Sequence, residues 1–437
     1  MRREDRFRRA DALDRALKGA WHGHPAGIAI PISPSRRVIT LVVFTLGLAG
    51  LPIGALAEDA IPKDDVVLRA LVDELSRSVE QLQLEGLPKP YFLHLSAEDR
   101  VMHTINAEYG GVVHDDTGHS RYATARSRVG SFALDNTNVP RGAGETGLLP
   151  IDDDYVALRH AIWLVVDQDY KDAVETLARK LAYLKDKKTE DRPDDYSPAE
   201  KVVAIQAIKP FPFDRAAWVQ HTVELSARFR KYPKIQDATV SFVAGVSTSW
   251  IVNSEGTRVR TTDTGVMLEF RAKLQAADGM DLDDVRTYVG LTTEDLPALE
   301  KLSVDLDEMC VKLVALSEAP ILEEYTGPVL FDPVATGSVL ATLLADGLCA
   351  RPVPLGGGRI VDASLEKKIG LRILPRSFSA YDDPTQQRFD GKVLAGAYDF
   401  DDEGVRPRRV DLVEKGIVNK LLAGRATTKR SHGTTGN

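Results

Sequence analysis

The stretch 237–276 limits the fold more than any other part of the chain. Thr239, Val240, Ser241, Phe242 and Val243 alternate in the period of a strand with one buried face. Trp250-Ile251-Val252 then runs into Asn253-Ser254-Glu255-Gly256, a turn sequence. Residues 257–262 and 266–274 continue the meander. A chain with this pattern at its centre must build an antiparallel sheet and cover one of its faces.

Helical patterns supply the cover. Val67, Leu68, Leu71, Val72, Leu75, Val79 and Leu82 recur at helical spacing across 64–84, and Gly86-Leu87-Pro88 stops the run. Residues 155–184 and 213–229 are also amphipathic. Over 296–316, Leu299, Leu302, Leu306, Met309, Val311 and Leu313 fall mostly on one side. Residues 91–95, 101–108, 110–114 and 121–129 read as short strands joined by tight turns. After Tyr325, glycine and proline punctuate short apolar runs, the mark of a separate β-rich unit.

The expected fold class is α+β: an N-terminal α/β portion, a central antiparallel β meander with helices, and a β-rich C-terminal domain. The expected division is a polar leader over 1–35, a signal peptide over 36–57, an N-terminal unit over 58–185, a charged linker or exposed loop over 186–198, a central unit over 199–320 and a C-terminal unit over 321–437. The last unit stops in a Gly/Thr tract at Gly436-Asn437, an end that reads as flexible and leaves sheet partners missing, so it is expected to be truncated.

Residues 38–57 are nearly all apolar, follow Arg36-Arg37 and end in Ala55-Leu56-Ala57. A basic flank, an apolar core and a small-x-small exit make a secretory signal peptide, so a periplasmic or secreted protein is expected. The alternative is an uncleaved anchor, since about 20 apolar residues span a bilayer. The long leader is explained by a start assigned too far upstream.

The chain has 437 residues, enough for several domains, and a net charge of -8. That balance argues against a general nucleic-acid partner, which needs clustered Lys and Arg. Two cysteines, Cys310 and Cys349, carry no disulfide framework and read better as isolated thiols than as one bridge.

Several constellations read as structure. The run His114-Asp115-Asp116-Thr117-Gly118-His119 has metal-binding residue types, but Asp-Thr-Gly suits a polar turn between strands. The glycine stretch at 355–359 has no following Lys-Ser/Thr and is not a phosphate loop. His221 and Glu224 share a helix without the H-E-x-x-H order, and no G-x-S-x-G elbow is present. Asp399, Asp401, Asp402 and Glu403 form an acidic cluster that could hold a cation or move protons.

Three stretches together resemble the TldD/PmbA family. The first is Trp250 to Gly256 with its Asn-Ser-Glu-Gly turn. The second is Gly327-Pro328-Val329-Leu330. The third and most specific is the order Asp382-Asp383-Pro384, Gly391, then Tyr398-Asp399-Phe400-Asp401-Asp402-Glu403-Gly404-Val405, followed by Leu412-Val413-Glu414-Lys415-Gly416 and Leu421-Leu422. The resemblance implies that Gly327, Pro328, Gly391, Asp401, Asp402, Glu403 and Gly404 are a structural signature. It also implies a metallopeptidase-related protein acting on peptides or unfolded protein, in which motif-bearing and motif-less subunits pair.

Active members carry H-E-x-x-x-H on a helix soon after the Gly-Pro-Val-x-Leu strand, with the Glu as general base for a zinc-bound water. Gly337, Leu340 and Gly347-Leu348 keep the family register without gaps. In that register Ala341 stands at the first His, Thr342 at the Glu and Asp346 at the second His. A lone carboxylate does not replace two imidazoles for zinc. The family's further Cys ligand belongs to a later segment, and Cys349 is not at that place. The resemblance therefore implies no catalytic or metal residues, no cofactor, and a PmbA-like chain that binds peptides or forms a homodimer or a heterodimer with a motif-bearing TldD-like relative. The competing readings are a peptidase whose site is completed elsewhere and a non-enzymatic scaffold.

Overall fold

The computed structural model describes residues 61–139, 144–186, 192–322, 324–355 and 365–437. The leader, the signal segment and most of the 355–359 glycine stretch lie outside the described residues.

The first helix, α1 (Val66–Gln81), is capped by Asp65, whose carboxylate accepts from the Leu68 N–H at 2.8 Å. The same carboxylate accepts from Trp250 Nε1 at 3.0 Å and from Arg260 at 2.5 Å, so the cap also fastens the helix to the sheet. Two long strands follow, β1 (Pro90–Glu108) and β2 (Gly111–Ser131). They replace the four short strands expected from sequence. The charged run Glu98-Asp99-Arg100 breaks the apolar alternation and so suggested a turn between the strands expected at 91–95 and 101–108. Backbone pairing on both sides keeps β1 extended through it, and its charges find partners: Glu98 with Arg100 along the same strand, and Asp99 with His119 and Arg121 across on β2. The turn from β1 to β2 is tight, with Tyr109 at φ 47 and Gly110 at φ 83, the pair of positive angles a twisted hairpin favours.

The run His114 to His119 is therefore not a turn. It lies within β2, with Asp115 opposite Ile105 and Thr117 opposite His103. Asp-Thr-Gly is turn chemistry only where no neighbouring strand claims the backbone.

Short strands β3 (Leu134–Asp135) and β4 (Glu145–Leu148) sit on β2, and the helix α2 (Tyr155–Asp186) follows. Then come β5 (Val203–Ile205), α3 (Arg215–Ala227), β6 (Asp237–Asn253), β7 (Arg258–Gln275), β8 (Asp281–Gly290) and α4 (Leu299–Ser317). The strand order is β3-β2-β1-β6-β7-β5, with β4 on β2 and β8 on β7; only β5–β7 is parallel in this sheet. β1 pairs with β6 from His94↔Asn253 to Ala107↔Val240. The strands assigned from sequence to two successive units thus lie side by side in one sheet.

One face of this sheet carries two cores. At one end Leu93, Leu95, Ala97, Ala123, Ala125, Trp250 and Val252 pack under α1 and α2. At the other, Ile105, Val240, Phe242, Leu268 and Phe270 pack with Leu225, Leu306, Met309 and Cys310 of α3 and α4. Trp218 stacks on Phe242 at 4.1 Å. Both cysteines are free, and burial pushes the Cys310 thiol up to about 12.

The C-terminal part begins with α5 (Pro333–Leu340) and continues through β9 (Cys349–Ala350), β10 (Ala380–Asp382), β11 (Arg388–Phe389), β12 (Lys392–Val393), β13 (Val410–Glu414), β14 (Ile417–Val418) and β15 (Leu422–Ala423). These short strands surround a third core of Leu344, Leu348, Val410, Leu412, Val413, Val418, Leu421 and Leu422. The architecture is α+β with a β-rich C-terminal part.

Two further expectations change. The described end of the charged 186–198 stretch is not exposed: Asp195, Tyr196 and Ser197 are buried, and Asp195 takes the Lys180 ammonium at 2.6 Å. Ionic pairing compensates the burial of these charges, something composition does not reveal. Nor is the Gly/Thr tract loose. Thr435 N–H donates to the Ala423 carbonyl at 2.7 Å, and Asn437 Nδ2 donates to Asp382 at 2.6 Å.

Candidate functional site

Arg425 fastens the C-terminal part to the sheet. Its side chain is fully buried. Nε donates to the Ser197 carbonyl at 2.9 Å, and the terminal nitrogen donates to Glu255 at 2.8 Å. The guanidinium lies 4.3 Å from the Tyr196 ring centre and 4.7 Å from that of Phe92. Its backbone N–H donates to Glu403 at 2.8 Å, and Tyr196 O–H donates to the other oxygen of Glu403 at 3.1 Å. Ser197 N–H returns a bond to the Arg425 carbonyl at 2.9 Å.

The acidic signature is the second fastening. Asp401 Oδ1 accepts from the N–H groups of Glu403 at 3.0 Å and Val405 at 2.7 Å, folding Asp-Asp-Glu-Gly into a side-chain-closed turn. Gly404 at φ +79 completes it, and a Cβ there would meet Thr257 Cγ2 at 2.9 Å. The turn is pressed on the β6–β7 loop, and only glycine fits.

Between this turn and the sheet lies a cleft of about 560 Å³. One wall is the sheet face opposite the helices, where Ser96 and Glu98 alternate with the core residues Leu95 and Ala97. Tyr122, Arg126 and Ser249 extend this wall. The other is formed by Tyr398, Phe400, Asp401 and Asp402, with Cys349 and Arg351 beside them.

Glu98 is the centre of the sheet wall. It accepts from Arg100 at 2.6 Å, from Ser247 Oγ at 2.6 Å and from the Tyr122 hydroxyl. Across the cleft, burial pushes the Asp401 carboxyl up to about 7, against the opposing pull of its backbone donors. Burial and nearby carboxylates also raise the Tyr398 phenol. Arg126 reaches Asp402 at 3.4 Å, across the two walls. His94, fully buried beside Arg126, Arg128 and Arg425, is held well below its ordinary pKa and stays neutral.

The helix that carries the motif register has a geometric peculiarity. After α5, Ala341–Ala345 form a π-helical turn, then Asp346–Leu348 a 3₁₀ turn. A π turn closes i→i+5, which brings positions five apart, such as Ala341 and Asp346, toward one face. The side chains there do not make a zinc site. Ala341 offers a methyl group, Thr342 donates its hydroxyl to the Ser338 carbonyl at 2.9 Å, and the exposed Asp346 lies 3.6 Å from Arg351. Among the described residues, no group of three or more His, Cys, Asp or Glu could hold a metal ion. The residues present do not fit zinc.

Residues 324–437 match the PmbA/TldA metallopeptidase C-terminal domain. A protein of Methanothermobacter thermautotrophicus called a metalloprotease is 30% identical over 200 residues, which is 44% of this chain and 40% of that protein. A metalloprotease of Archaeoglobus fulgidus is 34% identical over 73 residues, 17% of this chain and 16% of its own. The matched domain and these relatives support the TldD/PmbA family for this chain. Its matched part spans less than half of either curated relative. A solved Thermotoga maritima protein, described as a candidate modulator of a DNA gyrase, has a TM-score of 0.50 and 14% identity over 84% of this chain and 74% of that one, a likeness of fold.

Within the family signature, Gly391 at φ 76 follows Asp390 at φ 48 in the β11–β12 hairpin turn. Gly327 and Pro328 lie on an exposed segment, where the Tyr325 hydroxyl donates to the Pro328 carbonyl at 2.9 Å. Asp401, Asp402 and Glu403 reach the cleft; Gly327, Pro328 and Gly391 do not line it. Sequence reasoning missed Glu98, Arg100, Tyr122 and Arg425. Glu98 and Arg100 did leave a trace: opposite charges two apart in a strand share a face.

Proposed function

We propose that this chain is a TldD/PmbA-family protein without zinc peptidase chemistry of its own, which holds extended peptide in the cleft and pairs with a motif-bearing relative. The observation that carries the first part is the motif helix: the backbone that would aim two imidazoles at one metal is kept, while its side chains are Ala341, Thr342 and Asp346. Peptide binding is supported by the cleft's size and by the sheet beside it. β5 ends at Ile205 opposite Arg260 and β8 ends opposite Val266, so residues 261–265 of β7 have no strand on that side among the described residues. Thr261 and Asp263 of this stretch line the cleft. An extended peptide can add there as a strand.

Pairing is supported by apolar surface. Ile321, Leu322, Val329, Leu330, Val334 and Leu343 are each more than 60% exposed, and α5 has no buried residue. A free eight-residue helix is marginal in water, so cover from a second chain suits it. Export follows from residues 36–57 and completes the proposal.

The test is metal analysis and peptide cleavage on the purified chain, with and without the motif-bearing relative. No zinc above background and no cleavage by the chain alone, with retention of an unfolded peptide, are expected. Stoichiometric zinc lost together with cleavage on chelation would sink the reading.

A further inference from the structure

A second cavity, of about 250 Å³, lies at the edge of β2 beside α2. It sits between the two places where β2 has an outer strand partner, residues 122–125 against β4 and 130–131 against β3. In that gap side chains stand in for a strand. Ser127 N–H donates to the Asp169 carboxylate, the Ser127 carbonyl accepts from Asn136 Nδ2 at 3.0 Å, and Val129 N–H donates to Asn136 Oδ1 at 2.9 Å. The cavity therefore suits a small molecule and not an added peptide strand. Its volume falls just below the roughly 300–1,000 Å³ of drug-sized sites.

The two walls carry opposite charge. On the α2 wall stand Asp169 and Asp172, neighbours on one helix face, with Thr176 a further turn on. Asp169 is 6% exposed, and burial, with Asp172 adding to it, pushes its carboxyl up to about 7. Asp172 is exposed and accepts from Gln168 at 3.1 Å. Among the described residues no Lys, Arg or His pairs with either carboxylate. On the β2 wall, Arg126 and Arg128 border the cavity at the strand's edge. Each spends a terminal nitrogen at 3.4 Å, Arg126 on Asp402 and Arg128 on Asp135, and the Nε of each is buried without a partner.

Ser127 stands between the two arginines. It pairs with Leu93, whose side chain packs under α1 and α2, so its own side chain faces α2. Ser127 is 3% exposed, and its Oγ has no partner in hydrogen-bonding geometry. A buried hydroxyl left in that state is costly, and a ligand that bonds it recovers the cost.

We propose that this cavity binds a small zwitterion of the amino-acid or dipeptide class, its ammonium on Asp169 and Asp172 and its carboxylate on Ser127 Oγ and the two guanidinium edges. A bare anion such as phosphate meets two carboxylates, and a bare amine meets two guanidiniums. A ligand carrying both charges matches both walls. Arg126 borders the cleft as well, but Ser127, Asp169 and Asp172 do not line it. The inference goes beyond the cleft reading and is tested without an unfolded peptide, metal or relative.

Calorimetric titration of the purified full chain with dialanine is expected to give saturable binding at one site. N-acetyl-dialanine lacks the ammonium and dialanine amide lacks the carboxylate. Each is expected to bind about tenfold more weakly, the loss that goes with one charged hydrogen bond. Asp172→Asn removes a charge from an exposed position, so its melting temperature is expected to match the parent's while its affinity for dialanine falls. Its affinity for N-acetyl-dialanine is expected to stay the same. Ser127→Ala is expected to weaken dialanine and N-acetyl-dialanine alike. No saturable binding of dialanine, equal binding of the blocked forms, or an affinity that Asp172→Asn leaves unchanged would each overturn the proposal.

Discussion

Replacing Arg425 with alanine removes a side chain that joins the C-terminal part, the buried 195–197 segment and the β6–β7 loop. Breaking a buried ion pair from one side costs about 3–5 kcal/mol, because the remaining charge is left in a poor solvent. Glu255 keeps 21% of its side chain exposed, so water recovers part of that loss and the low end, about 3 kcal/mol, applies. The Ser197 carbonyl also loses a donor and the Phe92–Tyr196 sandwich loses its filling, which offsets that recovery. The cost falls on the junction, not on the sheet. Urea unfolding of Arg425→Ala is therefore expected to split, with an early transition releasing the C-terminal part and a later one resembling the parent. Hydrogen exchange is expected to show lost protection at Ser197 N–H, while the β1–β6 ladder stays slow. Arg425→Lys keeps the charge but not both directed bonds and falls between. A single transition within about 0.5 kcal/mol of the parent, with Ser197 still protected, would refute the reasoning.

Three further outcomes follow from the geometry. Burial raises Asp401 and Asp169 to about 7 in the folded state, so their protons favour folding; that stability is full below about pH 4 and is lost as pH rises through 7. Stability measured from pH 8 down to 5 should rise, and Asp169→Asn should flatten the slope, with up to about 4 kcal/mol at stake per group. Gly404→Ala forces a Cβ onto Thr257 at a positive φ and should cost about 1–3 kcal/mol, read as a lower melting temperature without change in the α3–α4 core. The triple change Ala341→His, Thr342→Glu and Asp346→His should give zinc binding measurable by competition with a coloured chelator; an affinity equal to the parent's would mean the π turn does not aim the pair.

Helix α1 was readable in the sequence because its apolar stripe at 67, 68, 71, 72 and 75 is also its buried face. The β6–β7 hairpin was readable because apolar alternation meets the Asn-Ser-Glu-Gly turn at 253–256. β8 was not, since its Asp281, Asp283 and Asp284 show no apolar period, and it is a strand because β7 offers it a partner. The long β1–β2 ladder was cut into pieces for the same reason. Apolar pattern records burial; extension through a polar stretch is set by neighbouring strands that are distant in the chain.

The site divides in the same way. The sequence alone determined the family order of the signature and which residues stand in the motif register at 341, 342 and 346, because both are matters of spacing. Only the tertiary structure decided that Asp401 and Glu403 face a cleft whose other wall is Glu98 and Tyr122. It also decided that Arg425 is buried against Tyr196, and that the charged 195–197 segment belongs to the interior. Each of these joins residues far apart in the chain, and a charged side chain is stable inside only when its partner arrives from elsewhere.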